Sequence, residues 1–586
     1  MNFEFDFLKC GFRLCFQMGR MIDAFTSSWL LLPAFLVTLS VHAATYYVAT
    51  NGSDSWNGLA PAWDGTNGPW ATFQNVPANA VAGTTFYLEG GIYSHTNDST
   101  ATMLNFYGAL GTSTAPIVVT NYPGQTPIIY GSGPNNYGLQ LKYSSWIKIF
   151  GLVISNAYRC TDISASTNCE VANCVFTGGN TNYGYLCPFT MDTGSQSNWI
   201  HNNQVDDALA PPVGDSTHCF LFGQFYAVDL TSYNIIESNV CFHAGHDVLG
   251  IYGPNNYVHG NFIHNENWYY RLDLQTNAAH RCVEIGGVVG YGNVFDGNRA
   301  QDAGFCYSTP HGIEIDGPAN NIVRRNVFYG NSYSGITIYG GKIGGNIYWG
   351  SNYVYNNTIA VNGFGPDSSI IYTTNSSGTW KPPVPYQTNT FYPEWEPAIT
   401  IANSGTNFLV NNLFSGNKYD GTYGAGESFD CAVADYRGNL TNSMAVAKYA
   451  DTNNGGAWSQ TQPNFALTSA SPAIDNGAFL TTITSSSGSG TSFNVANAGW
   501  FFAGLTAAGH TVPGDSIQLQ GQTSTATITA ISGNTIIVSS SLTWTNGQGV
   551  ALPYSGNAPD VGAFEYPTPV TGQLSPPSGL KVVTAK

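Results

Sequence analysis

The chain has 586 residues, a formal net charge of −17 at pH 7 and only 9% charged residues. So acidic a balance argues against a nucleic-acid partner, which needs a basic surface, though it leaves room for a local basic site, while 67 glycines, 35 tyrosines and 32 phenylalanines favour strands and turns over helices. The length suffices for one elongated all-β domain with a smaller companion.

The first element in chain order is an address. From Met21, "MIDAFTSSWLLLPAFLVTLSVHA" carries an apolar run, Trp29 to Val41, too short to span a bilayer and followed by the small-residue site Val41-His42-Ala43. Export is expected, to the cell surface, the periplasm or the medium, with residues 1–44 as signal peptide and upstream residues and Met21 as an alternative start. The nine later cysteines (Cys160, Cys169, Cys174, Cys187, Cys219, Cys241, Cys282, Cys306 and Cys431) show no zinc spacing and no disulfide framework. One or two bridges between Cys160 and Cys187 are expected.

Residues 45–480 read as an N-terminal cap and a coil of strands running from about 110 to 475. A phrase with an Asn recurs in "EVANCVF", "WIHNNQV", "IIESNVCF", "YVHGNFIH", "VGYGNVF", "IVRRNVF", "YWGSNYVY" and "FLVNNLF". Its asparagines are Asn173, Asn203, Asn239, Asn261, Asn293, Asn326, Asn352 and Asn412, and the expectation is that they stack at one corner. A second phrase alternates with it: "VLGIYG", "CVEIGG", "GIEIDG", "GITIYG" and "AITIAN", with first inward positions at Leu249, Val283, Ile313, Ile336 and Ile399. The turn from Asn239 to Asn261 is too short for a βαβ unit and suits one rung of a parallel β-solenoid.

If the Ile-x-Ile positions face inward, Gly250, Glu284, Glu314 and Thr337 face outward on successive rungs, and Tyr252, Gly286, Asp316 and Tyr339 form the next outward column. Glu284 and Glu314 then become direct neighbours, an arrangement that destabilises a sheet unless a proton, a cation or an arginine is shared. The strand ends bring in His246, Asp247, His280, Arg281 and His311. Strict alternation would bury Arg281 and His311, so their membership requires a bend that resets the parity. Arg324 and Arg325 read as structural or surface groups at the Asn corner. The long insertions, 262–281, 294–311 and 353–397, all precede the same sheet, as the walls of a cleft would. They carry Trp268, Tyr269, Tyr270, Arg271 and Trp395, aromatic and basic groups suited to holding sugars; buried loop anchors are the plainer alternative.

From about residue 485 the pattern changes to "VPGDSIQL", "STATITAISGNTIIVSS" and "LTWTNGQGVAL", which alternate at period two without a rung Asn. This predicts an inserted antiparallel β-module, 481–556. A closing strand and a flexible Pro-rich tail follow in 557–586.

The "GIxIxG … NxIxxNxF" grammar, the opening "TYYVATNGSDSWNG" and "GPWATFQNV", and the closing "SASPAIDNG" and "APDVGAFEY" resemble the secreted right-handed parallel β-helix proteins of the pectate-lyase-like superfamily, over residues 45 to 566. The resemblance implies an all-β, right-handed parallel β-helix and a polysaccharide partner. Its reaction stays open, because the superfamily holds lyases, glycoside hydrolases, esterases and non-catalytic adhesins. Hydrolysis would use Glu284 and Glu314 as paired carboxylates, with Asp316 in reserve. β-Elimination would use Arg281 to neutralise a uronate and His280 or His311 as base, and the carboxylates could hold Ca²⁺. His246, Asp247, Tyr339 and the loop aromatics would grip substrate. No Lys occurs between Lys148 and Lys342, which removes the lysine base of some β-helix lyases and tilts the reading toward hydrolysis with no required cofactor. A non-catalytic glycan-binding or adhesive β-helix is the third reading. No polygalacturonase signature is present, and a monomer without a membrane span is expected.

Overall fold

The computed structural model describes residues 43–567 except 95–101, 132–136, 178–186, 207–217, 243, 245, 266–280, 304–310, 332–333, 340–341, 344–345, 348–350, 363–372, 375–379, 382–398, 403–406, 418–426, 430–432, 443–446 and 452–463. Each turn of the coil lays one short strand into each of three parallel sheets. A turn runs, for example, from Asp247–Ile251 in the third sheet to Tyr257–His259 in the first and Phe262–His264 in the second, then returns to the third at Arg281–Ile285. Among the described residues the sheets hold 13, 12 and 11 strands. This is a right-handed parallel β-helix, the hand that parallel crossovers adopt.

The inward residues drive the coil closed. Phe220, Leu249, Val283, Ile313, Ile336 and Ile399 pair rung by rung in the third sheet, the register expected for the last five. The first five are buried in one continuous core, and each stacked aliphatic contributes about 1.5–3 kcal/mol. The segment expected as a cap already enters the coil, since Thr45–Val48 pairs with Thr85–Leu88 in the first sheet. Cys160, Cys169, Cys174 and Cys187 are buried thiols, correcting the expected bridges; the first three sit in the hydrophobic core among the rung residues.

The asparagines do not share one corner. Two ladders flank the strands of the first sheet, one through Asn198, Asn234, Asn256, Asn293, Asn321, Asn352 and Asn407. The other runs through Asn203, Asn239, Asn261, Asn298, Asn326, Asn357 and Asn412. Each Asn backbone N–H donates to the next rung's side-chain oxygen, satisfying groups at a bend where no strand partner reaches. Asn293 and Asn352 therefore stand at a different corner from Asn239, Asn261 and Asn326. Both corners demand the same residue, so spacing alone could not separate them.

Residues 481–551 form a six-stranded antiparallel sheet, with a separate hairpin at Gly504–Ala507 and His510–Pro513. Its core merges with the outer face of the first sheet, where Tyr353 and Tyr355 meet Trp500, and Tyr257 stacks on Phe502. Arg324, fully buried, grips Asp515 of this module at 2.6 and 2.7 Å and Asp296 of the coil at 2.9 Å. The expected closing strand is instead an irregular segment, Val561 packing into the last rungs beside Ala473. Its backbone bonds the 473–477 segment through Val561 N–H to Ala473 O and Gly477 N–H to Pro559 O without forming a regular strand. The run Trp29 to Val41 lies outside the described residues, and no described helix is long and apolar enough to cross a membrane.

Candidate active site

The outward face of the third sheet gathers the charge. In register, Glu284 lies directly beside Glu314, and Asp247 beside Arg281. The parity reset is real: Cys282 and Val283 are consecutive yet both in the core, as are Val248 and Leu249. That double inward step turns Arg281 onto the same face as Glu284. Its Nε donates to Glu314 Oε2 at 2.6 Å, and its Nη1 reaches both Asp247 Oδ1 and Glu284 Oε2 at 3.3 Å. The guanidinium is thus the shared cation that two adjacent glutamates require.

Around this centre the remaining groups fix protons. His246 Nε2 accepts from Arg281 Nη1 at 3.1 Å, which places the ring hydrogen on Nδ1, 3.0 Å from Asp247 Oδ2. His218 Nδ1 lies 3.0 Å from the same oxygen. Burial opposes ionisation of Asp247, but His246 and His218 outweigh it and hold the carboxyl well below the usual range. Glu284 moves the other way: burial, then the charge of Asp247, pushes it well above the usual range, with Arg281 relieving only part. Burial also pushes Glu314 up to about 7 against the pull of Arg281, and raises Asp316.

The Tyr252 hydroxyl lies 2.7 Å from both Asp247 Oδ2 and Glu284 Oε2. One hydroxyl has one hydrogen, so two such short contacts need a second hydrogen from a carboxyl. Glu284, whose pKa is raised, supplies it: the site stores a proton on Glu284 beside an ionised Asp247. His311 sits beneath, its Nδ1 at 2.7 Å from Ser334 Oγ and 2.9 Å from Thr337 Oγ1, its Nε2 at 3.4 Å from Glu314 Oε2.

Of the residues singled out from sequence, Glu284, Glu314, Asp316, Arg281, His311, His246 and Asp247 come together. His280, Trp268, Tyr269, Tyr270, Arg271 and Trp395 lie outside the described residues, as does the side chain of Tyr339. His218 was missed and Tyr252 was given no role. The rung of His218, "HCFLFG", replaces Ile-x-Ile with Phe-x-Phe, so only its alternation and closing Gly223 could have placed His218 beside Asp247. The closest carboxylate oxygens of Glu284, Glu314 and Asp316 lie within 4.8 Å of one another. Such hard oxygen donors fit Ca²⁺, although Arg281 already occupies Oε2 of both glutamates.

No family model matches the chain. Pectate lyase PEL9 of Emericella nidulans is 34% identical over 115 residues, 20% of this chain and 23% of that protein, so the match spans under a quarter of the relative's length. Among solved structures, pectate lyase Pel9A aligns over 90% of this chain and 97% of its own at 14% identity, with a TM-score of 0.46. A rhamnogalacturonan lyase aligns over 73% and 95% at 14% identity, with a TM-score of 0.36. The fold is a parallel β-helix, as its three long parallel sheets show. In this β-helix the charged cluster occupies neighbouring turns of a single sheet, and its outward column continues onto earlier turns as Leu221, Thr190 and Asp162.

Proposed function

We propose that this β-helix cleaves a polysaccharide laid along the third sheet, by glycoside hydrolysis with Glu314 as proton donor. One observation carries the reading: two buried glutamates on adjacent turns share one arginine, and Glu314 is held near pH 7, where a carboxyl can still deliver a proton. Asp316, the more exposed of the three acids, would face the anomeric carbon. The closeness of the acids leaves no gap of ~6.5–9.5 Å to seat the water of an inverting enzyme, so the outcome would be retention. The leader-like N-terminus supports export to where polysaccharides are met.

A second reading, β-elimination on a uronic-acid polymer, is favoured by the local likeness to a pectate lyase. Arg281, or a cation held by Glu284, Glu314 and Asp316, would neutralise the uronate, and His311 or His246 would take the proton. One assay separates the two. Parent protein and the Glu284→Gln and Glu314→Gln variants are incubated with polygalacturonate and with xylan, following reducing ends and absorbance near 235 nm, with and without EDTA. Reducing ends without absorbance, insensitive to EDTA and lowered ~10²-fold or more in Glu314→Gln, are expected. Absorbing products would establish elimination; undiminished turnover in both variants would move the site elsewhere.

A further inference from the structure

The strand segment that supplies Arg281 and Glu284 has a parallel elsewhere in the coil. Arg281-Cys282-Val283-Glu284-Ile285 has a counterpart in Arg159-Cys160-Thr161-Asp162-Ile163, on the same sheet. Register carries Asp162 through Thr190, Leu221 and Gly250 to Glu284, four turns away. At ~4.8 Å per turn the two sites stand about 19 Å apart along the coil. The local geometry is repeated as well. Cys160 lies in the core, and Thr161 is buried in line with core residues Leu139 and Phe189. The same double inward step therefore turns Arg159 outward, where its Nη1 donates to Asp162 Oδ1 at 2.9 Å.

Two features distinguish this copy. No acid pairs with Asp162 in register, where its partners are Gln140 and Thr190; Asp192 stands one column further on, linked to it only through Ser164. Gln140 donates to Asp162 at 2.9 Å, and Asp192 accepts from Ser164 at 2.9 Å. Without an adjacent glutamate pair it has no proton-sharing centre. The side chain of Arg159 is 29% exposed against 12% for Arg281, so this arginine is open to a ligand. The Thr190 hydroxyl is buried on the same outward column with no hydrogen-bond partner among the described residues, a donor left over at Asp162's side. Between the two sites, the corner after Phe220–Phe222 projects Tyr226, 86% exposed, its ring 4.8 Å from Phe225, which in turn packs at 5.1 Å on Tyr252 of the centre.

We propose that Arg159, Asp162 and Thr190 form a distal binding subsite for sugar residues of the same polysaccharide chain, with Tyr226 as a stacking platform between it and the catalytic centre. Asp162 and Asp192 outnumber the one guanidinium, so the subsite takes sugar hydroxyls as donors and does not select a uronate carboxylate. A chain that reaches it must span about 19 Å from Glu284, which makes the enzyme favour long substrates over short ones. The inference rests on the cleavage reading above.

The test is the ratio of kcat/KM on polymer to kcat/KM on short oligomers of whichever polymer, polygalacturonate or xylan, the parent cleaves. In Asp162→Asn and Tyr226→Ala that ratio should fall roughly tenfold or more, through KM, as expected for loss of a hydrogen bond to a charged group or of a stacked ring. A ratio equal to the parent's in both folded variants overturns the subsite. Should Asp162→Asn fail to fold, the exposed Tyr226→Ala decides alone. A parent that cleaves neither polymer refutes the cleavage reading instead. The subsite is then judged by electrophoresis through gels containing each polymer: retardation lost in Tyr226→Ala supports it, and equal mobility of parent and variant overturns it.

Discussion

At the scale of single residues, Glu314 offers the clearest titration. Its folded pKa of about 7 stands above the ordinary 4.5, so the fold favours the protonated acid. The stabilisation is complete below about pH 4.5 and is lost as pH rises through about 7. Glu314→Gln is fixed in the neutral form. Its thermal midpoint should therefore fall less than the parent's between pH ~5 and ~8, and parallel curves would mean that Glu314 ionises normally. If Glu314 is the proton donor, parent activity should also decline above about pH 7, where the proton leaves. The pairing of Glu284 with Glu314 was legible because period-two alternation decides which side chains share a face. The second hydrogen required between Tyr252, Asp247 and Glu284 was not, since it depends on two distances across two turns.

At the scale of elements, the ladders set the corners. Asn261 accepts from the backbone and side chain of Asn239 and donates to the carbonyl of Ile236. Asn261→Ala leaves these buried groups without partners, each at a cost of ~1–3 kcal/mol. Denaturant unfolding should show a lowered midpoint with an unchanged m-value, whereas an exposed asparagine such as Asn51 should be nearly neutral on replacement by a residue of similar propensity. A stability equal to the parent's in Asn261→Ala would mean that water replaces the ladder. The repeat itself was readable from the recurring Asn, but not its division into separate ladders. Asn293 and Asn298 stand in almost the same local context, and only the rung-to-rung bonds separate them.

At the scale of the whole molecule, one buried cation joins the coil to the antiparallel module. Arg324→Ala would leave Asp296 and Asp515 facing each other without their shared guanidinium, a loss of roughly 3–5 kcal/mol. Arg324→Lys should recover little, because an ammonium cannot make the two-pronged contact with Asp515. Thermal and denaturant unfolding of both variants would show this, and a lysine variant as stable as the parent would count against the forked geometry. Burial opposes the charge on Asp296, but Arg324 and Arg325 hold its carboxyl well below the usual range. Its contribution is therefore present above about pH 4 and is lost as pH falls. From sequence, Arg324 was a structural or surface group at a corner, because nothing local records that residues 191 positions downstream return to cover it.

The sequence by itself determined the parallel coil, the register of the third sheet, the adjacency of Glu284 and Glu314, and the change to an antiparallel module near residue 485. All four follow from side-chain periodicity and from residues a bend requires, which are local properties repeated often enough to be read. Only the tertiary structure decided that Arg281 turns outward, that His218 and Tyr252 complete the centre, that asparagines line three corners of the coil, and that the module packs on the first sheet. Each of these depends on a backbone bend that breaks the alternation, or on contacts between segments far apart in the chain. Such contacts leave no periodic trace in the residues that make them.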